Sequence, residues 1–211
     1  MQIANFTKPI ITVILTLIIS LNCTQLRAQN FYVETKINVA AAAITLFNPA
    51  IEIGFGKHSA VEISNVSSFA KNNYLGSGHP FLMNLNIAQY RYYPLNKNHS
   101  KLFIGLDFGY DLFKLHKGAL ISDILGNNDS DDSRAYDWGM GYIIGATAGY
   151  KFKINKRFSL EASLSSGFHH SNHEPYLADG TLEMPMNASA EWLLPYKAGL
   201  YFIWRIFDSN K

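Results

Sequence analysis

The sequence predicts an all-β fold, an eight-stranded antiparallel up-and-down transmembrane β-barrel, and three observations carry that expectation. Eight segments alternate apolar residues with polar or small ones at period two, the pattern of a strand with two unlike faces. Short turns and longer polar connections follow one another between these segments, as in outer-membrane barrels. Of 211 residues, 48% are hydrophobic and 14% aromatic but only 16% charged, against roughly 25% in an ordinary soluble domain. Lys plus Arg number 18 and Asp plus Glu 16, a formal charge of +2. That balance offers no electrostatic reason for nucleic acid as a partner. The length suits one domain, and the composition excludes a disordered or collagen-like chain.

Residues 1–28 read as a secretory signal peptide. They contain no acid, and Lys8 precedes an apolar run from Pro9 to Ile19. Polar residues then lead to Leu26-Arg-Ala28, where a small residue marks the cut. A spanning helix would need about 20 apolar residues, and Ser20, Asn22, Thr24 and Gln25 interrupt too early. Residues 29–211 are then the barrel domain. Removing Lys8 and Arg27 leaves it with 16 basic and 16 acidic residues. The lone Cys23 lies within the signal after Asn22, which is not the small residue that a lipid-anchor signal places there. The mature domain has no thiol, so strand pairing must hold it without disulfides.

The strands follow in order. Val33, Thr35, Ile37 and Val39 oppose Glu34, Lys36 and Asn38; Ile51, Ile53 and Phe55 oppose Glu52 and Gly54; Val61 and Ile63 oppose Glu62 and Ser64. Residues 81–93 are strand-like, with an alternation that slips near Gln89, where a bulge would account for it. In 102–112, Leu102, Ile104, Leu106, Phe108, Tyr110 and Leu112 alternate with Phe103, Gly105, Asp107, Gly109 and Asp111. The pattern returns in 140–152 and 158–168. It ends with Tyr196, Ala198, Leu200, Phe202, Trp204 and Ile206 against Lys197, Gly199, Tyr201, Ile203 and Arg205.

Short turns are expected near 56–59, 96–100 and 155–157, and a short first loop near 46–49. Longer loops are expected at 70–80, 113–137 and 171–189, which puts both termini on the short-turn side.

Tyr32, Tyr92, Tyr93, Tyr110, Trp138, Tyr142, Trp192, Tyr196 and Trp204 lie near strand ends, as an aromatic girdle would. With the apolar face turned to lipid, the lumen receives Glu34, Glu52, Glu62, Asp107, Asp111 and Glu161. It also receives Lys36, Lys151, Lys197, Arg205 and, as a further candidate, Arg91. Eight strands enclose just enough room for side chains, so opposite charges in comparable number predict an ion-paired plug rather than a pore.

Six stretches, in order along the chain, resemble a family of Bacteroidota outer-membrane barrel proteins catalogued as domain of unknown function 3575. They are Glu34-Thr-Lys-Ile-Asn38, Asn48-Pro-Ala-Ile-Glu-Ile-Gly54, Gln89-Tyr-Arg-Tyr-Tyr-Pro94, Gly145-Ala-Thr-Ala-Gly-Tyr-Lys151, Arg157-Phe-Ser-Leu-Glu161 and Asn187-Ala-Ser-Ala-Glu-Trp-Leu-Leu-Pro-Tyr-Lys197. The resemblance implies an exported eight-stranded barrel and supplies no catalytic residue.

A second, local resemblance concerns Gly167-Phe-His-His-Ser-Asn-His-Glu174. His169-His-Ser-Asn172 is similar to the His-x-Ser-Asn motif of outer-membrane lipid A 3-O-deacylases, which use a His-Ser-Glu triad. It implies Ser171 as nucleophile, His169 as base and Glu183 as the acid that orients the imidazole. This chain has His173 where those enzymes carry alanine. Alternation continued from Phe158 puts His169 and Ser171 on the lumenal face with Glu161 and Ser163, away from lipid, unless a bulge at Ser165-Ser166 reverses it. Metal capture by His169, His170, His173 and Glu174 is disfavoured because their spacing does not put three imidazoles on one strand face. Asn127-Asn-Asp-Ser-Asp-Asp132, before Arg134, reads as a solvated acidic tip that can meet divalent ions bridging lipopolysaccharide. It lacks the EF-hand pattern.

The expectation is therefore a non-enzymatic, monomeric barrel in the bacterial outer membrane, without cofactor or metal. Its partners are outer-membrane lipid and lipopolysaccharide, and its role is structural or in surface interaction. The contrasting readings are the lipid A esterase and a soluble periplasmic β-protein.

Overall fold

The computed structural model describes residues 31–70, 80–95, 101–115, 134–177, 180–183 and 185–209. The segment read as a signal peptide and the acidic tip at 127–132 lie outside the described residues. Eight strands run β1 (Tyr32–Asn38), β2 (Pro49–Phe55), β3 (Ser59–Ala70), β4 (Phe81–Tyr92), β5 (Lys101–Leu115), β6 (Arg134–Lys153), β7 (Phe158–Leu177) and β8 (Asn187–Asp208). Each is antiparallel to its neighbours in chain order, and β8 returns to β1, closing the barrel. Closure pairs β1 with the lower part of β8, from Tyr201 to Asp208, and so joins the two ends of the sheet. The expected all-β eight-stranded barrel is the observed architecture.

The walls differ in height. β6 and β7 have 20 residues each and β8 has 22, whereas β1 and β2 have seven each. The long strands take in much of what the sequence assigned to loops. β5 reaches Leu115, β6 starts at Arg134, and β7 runs to Leu177, so residues 171–177 are strand rather than loop. Cross-strand pairing overrides their polar composition, because the apolar-inward rule does not hold in this barrel's interior.

The first connection also departs from a plain short loop. Residues Val39–Ala43 form one turn of helix, α1, capped by the Asn38 side chain, which accepts the Ala41 N–H at 3.1 Å. The chain then passes through Thr45 at φ 61°, and Phe47 pairs with Ser67 of β3 in both directions at 2.9 and 2.8 Å. This segment packs above the short β1–β2 hairpin, with Asn38 Nδ2 donating to the Ala198 carbonyl of β8 at 3.1 Å.

No bulge occurs at Gln89. β4 keeps one register with β3 and with β5 from Phe81 to Tyr92. The slip in the sequence marks a change of lining on the inward face, from Leu85 and Ile87 to Gln89 and Arg91, all four buried. The irregularity instead lies between β7 and β8. Ser165 pairs with Lys197 and Gly167 with Leu193, so β8 spends four positions where β7 spends two. Pro195, which has no N–H for a ladder, falls in this interval. β7 itself stays in continuous register with β6 through this region, and its faces do not switch.

The extra residues in β8 change one assignment. Tyr196, expected on the outer face, turns inward and donates its hydroxyl to Asp107. Tyr32 and Tyr93, expected in an outer girdle, are also buried inside, where Glu52 accepts both hydroxyls. A buried carboxylate needs donors, and the tyrosines supply them. Tyr92, Tyr110, Trp138, Tyr142 and Trp204 do face outward and are exposed; the Trp192 side chain lies outside the described set.

Candidate functional site within the barrel

The interior is stacked in layers. Nearest the short turns lies a largely buried ionic network to which β1, β2, β3, β4, β6, β7 and β8 all contribute. Glu52 receives Lys36, Lys151 at 2.8 Å and Arg91 at 2.9 Å. Glu161 receives Lys36 at 2.8 Å and Arg91 at 2.9 Å. Glu62 receives Arg91 at 2.6 Å, Lys36 at 2.8 Å and Lys197 at 3.4 Å. Glu34 accepts Lys151 at 2.8 Å and Arg205 at 2.8 Å, and Arg205 also reaches Asp208 at 3.0 Å. Five cations thus meet four glutamates and one aspartate.

Isolated ions there would cost several kcal/mol each. The lattice of contacts offsets that cost, and every charge in it has an opposite neighbour. β5 contributes Phe103, whose ring lies 4.3 Å from the Arg91 guanidinium carbon. Gly54 is needed beside this layer, because the Tyr32 ring occupies the space a Cβ at position 54 would take.

Above the ions, Asp107 is held by uncharged donors: Gln89 Nε2, Thr147 Oγ1 and the Tyr196 hydroxyl. Val66, Leu85, Ile87 and Ile143 form an apolar layer against which Met83 and Tyr196 pack. The charged residues that the sequence assigned to the lumen, Arg91 included, are all found inside.

The third group lies toward the long-loop end and contains the His-Ser motif. His169, Ser171 and His173 lie on the inward face of β7 and are buried. His169 Nε2 stands 3.1 Å from Asp111 Oδ2 on β5. Gly141 of β6 lies beneath this pair, and a Cβ there would collide with both side chains. Ser171 Oγ lies 3.0 Å from Ser189 Oγ and 3.4 Å from His173 Nδ1. His170 faces outward, its ring 5.2 Å from that of Tyr142. Glu183 is exposed on the chain between β7 and β8, and its backbone N–H donates to the Pro175 carbonyl at 2.9 Å.

The imidazole facing the Ser171 hydroxyl is thus that of His173, while His169 is turned to Asp111. His173 shares the parity of His169 and Ser171, so continued alternation would have found it. The contact of Asp111 with His169 crosses from β5 to β7 and has no local signature. Among the described residues no group of three His, Cys, Asp or Glu side chains is placed to hold a metal ion.

A family profile described as "Protein of unknown function (DUF3575)" matches residues 11–206. Neither the comparison with curated proteins nor that with solved structures gave a match. With that profile spanning all eight strands to within two residues of the end of β8, the chain belongs to the DUF3575 family of proteins of unknown function.

Proposed function

We propose that this protein is an exported, non-enzymatic barrel of the bacterial outer membrane, monomeric and with a plugged lumen, that serves envelope integrity or surface interaction. One observation carries this reading: the barrel is inverted relative to a soluble one. Its ions are inside, and its large apolar side chains are outside. Ile63 is 65% exposed, Leu106 69% and Phe108 59%, and outward positions on every strand contribute similar residues. Holding each such side chain in water forgoes about 2 kcal/mol of burial, and a contiguous apolar belt of this kind calls for lipid or a partner. β3 to β8, with 12 residues or more each, are long enough to cross a bilayer at a tilt.

Heat-modifiable electrophoresis tests this. The protein extracted from envelopes should migrate differently boiled and unboiled, and should stay in the detergent-soluble fraction. Free solubility without detergent, with no mobility shift, would sink the reading.

The esterase reading, with Ser171, His169 and Glu183 as its triad, has in its favour a serine hydroxyl beside an imidazole. It requires an ester of lipid A to reach the inner wall of β7. Mass spectrometry of lipid A from envelopes expressing wild type or Ser171→Ala decides it. Loss of one acyl chain with wild type alone establishes the enzyme; unchanged lipid A with a folded barrel leaves the non-enzymatic reading ahead.

A further inference from the structure

We propose that the outer wall, near its long-loop rim, carries a binding site for an anionic, phosphate-bearing membrane lipid, with Lys114 of β5 as the group that selects it. The proposal rests on the membrane reading above and adds a specific ligand class to it. The site is a groove of about 560 Å³ where the upper ends of β3 to β7 meet. Phe69, Leu82, Leu112 and Trp138 supply an apolar lining, and Lys114, Tyr136 and Tyr176 lie toward the rim.

The charge pattern argues for the ligand. Along β1 to β5 the outward positions from Val33 to Lys114 bear apolar or uncharged polar side chains, and Lys114 is the one charged residue among them. A lone lysine on an apolar wall is costly in a bilayer unless it sits at headgroup depth or meets an anion. Its ammonium lies 3.8 Å from the centre of the Tyr136 ring, and that ring stacks on Tyr176 at 5.0 Å. Glu174, an outward acid on β7 with β6 between it and β5, accepts the Tyr176 hydroxyl at 2.9 Å. The aromatic shelf holds the cation at the groove mouth without neutralising it, since a ring quadrupole attracts but carries no net charge. Hydrocarbon floor, aromatic ledge and cation therefore follow in the order of acyl chain, interface and phosphate in a lipid leaflet.

Trp138 lines the groove and reports on it. The full barrel carrying Trp192→Phe and Trp204→Phe, leaving Trp138 as the only tryptophan, is reconstituted in phosphatidylcholine vesicles. A fixed fraction of the lipid is brominated on its acyl chains, either as phosphatidylglycerol or as phosphatidylcholine. Brominated phosphatidylglycerol should quench Trp138 with an apparent association constant about fivefold higher than brominated phosphatidylcholine. The excess should vanish in Lys114→Gln and diminish with salt. Equal quenching by the two lipids would overturn the lipid site while leaving the membrane reading intact. An excess that survives Lys114→Gln would overturn the assignment to this groove. No quenching by either lipid, in a barrel shown to be folded by heat-modifiable mobility, would overturn the membrane reading on which the site depends.

Discussion

Lys36 and Arg91 are the residues on which most of the interior converges. Each touches Glu52 of β2, Glu62 of β3 and Glu161 of β7. Removing one such partner leaves buried carboxylates uncompensated, which typically costs 3–5 kcal/mol. Lys36→Met should therefore lower the urea midpoint of the folded barrel by an amount corresponding to about 3–5 kcal/mol, while Lys36→Arg should retain much of the stability. A fall of less than about 1 kcal/mol for Lys36→Met would mean that the ions are not the buried, mutually paired lattice of these contacts. Tyr196→Phe deletes only a hydroxyl from Asp107 and should cost about 1–3 kcal/mol, the range for leaving a buried acceptor short of a donor.

The short β1–β2 hairpin and the long β8 pose opposite problems for a closed sheet. β1 pairs with β8 only from Tyr201 to Asp208, and β2 with β3 only from Ser59 to Ser64. The segment 39–48 takes over above the hairpin through Asn38, α1 and Phe47. Asn38 is the hinge of that arrangement: it caps α1, bonds Asn48 Oδ1 at 3.0 Å and reaches β8. Asn38→Ala should cost about 1–3 kcal/mol and should speed hydrogen exchange at the Ala41 amide while leaving β4 and β5 protected. Uniform exchange across all strands would contradict a local role. On β8, the interval around Pro195 admits two extra residues and so brings Tyr196 inside next to Lys197. This is how one strand can supply both the hydroxyl on Asp107 and the ammonium near Glu62.

For the molecule as a whole, the decisive contrast is between its two surfaces. Leu106→Arg, in the middle of β5, should destabilise the barrel by about 2–4 kcal/mol in phospholipid vesicles if that face meets hydrocarbon. The same change on a water-facing surface should stay within about 0.5 kcal/mol. Denaturant titration of the two proteins in vesicles separates these outcomes. The layered interior, ionic below and apolar and His-Ser-lined above, makes Ser171→Ala a mild change. Its hydroxyl meets Ser189 and His173, and a stability loss beyond about 2 kcal/mol would show that it has a larger structural part than its contacts imply.

The period-two alternation was enough to define the eight strands, their inward and outward faces and most of the lumenal charges. Side-chain direction along an extended chain is a local consequence of backbone geometry. Tyr196, Gln89 and the reach of β7 were not legible in the same way. Where β8 holds extra residues, how far β7 continues through Ser171 to Leu177, and which imidazole faces the serine all depend on register with a neighbouring strand. Register is set by the sum of many cross-strand contacts rather than by any one stretch of residues. The meeting of His169 with Asp111, and of Glu52 with three cations from three strands, arises only when the sheet curls into a barrel, because that is what brings residues such as Glu52 and Lys151, 99 positions apart, to within hydrogen-bonding distance.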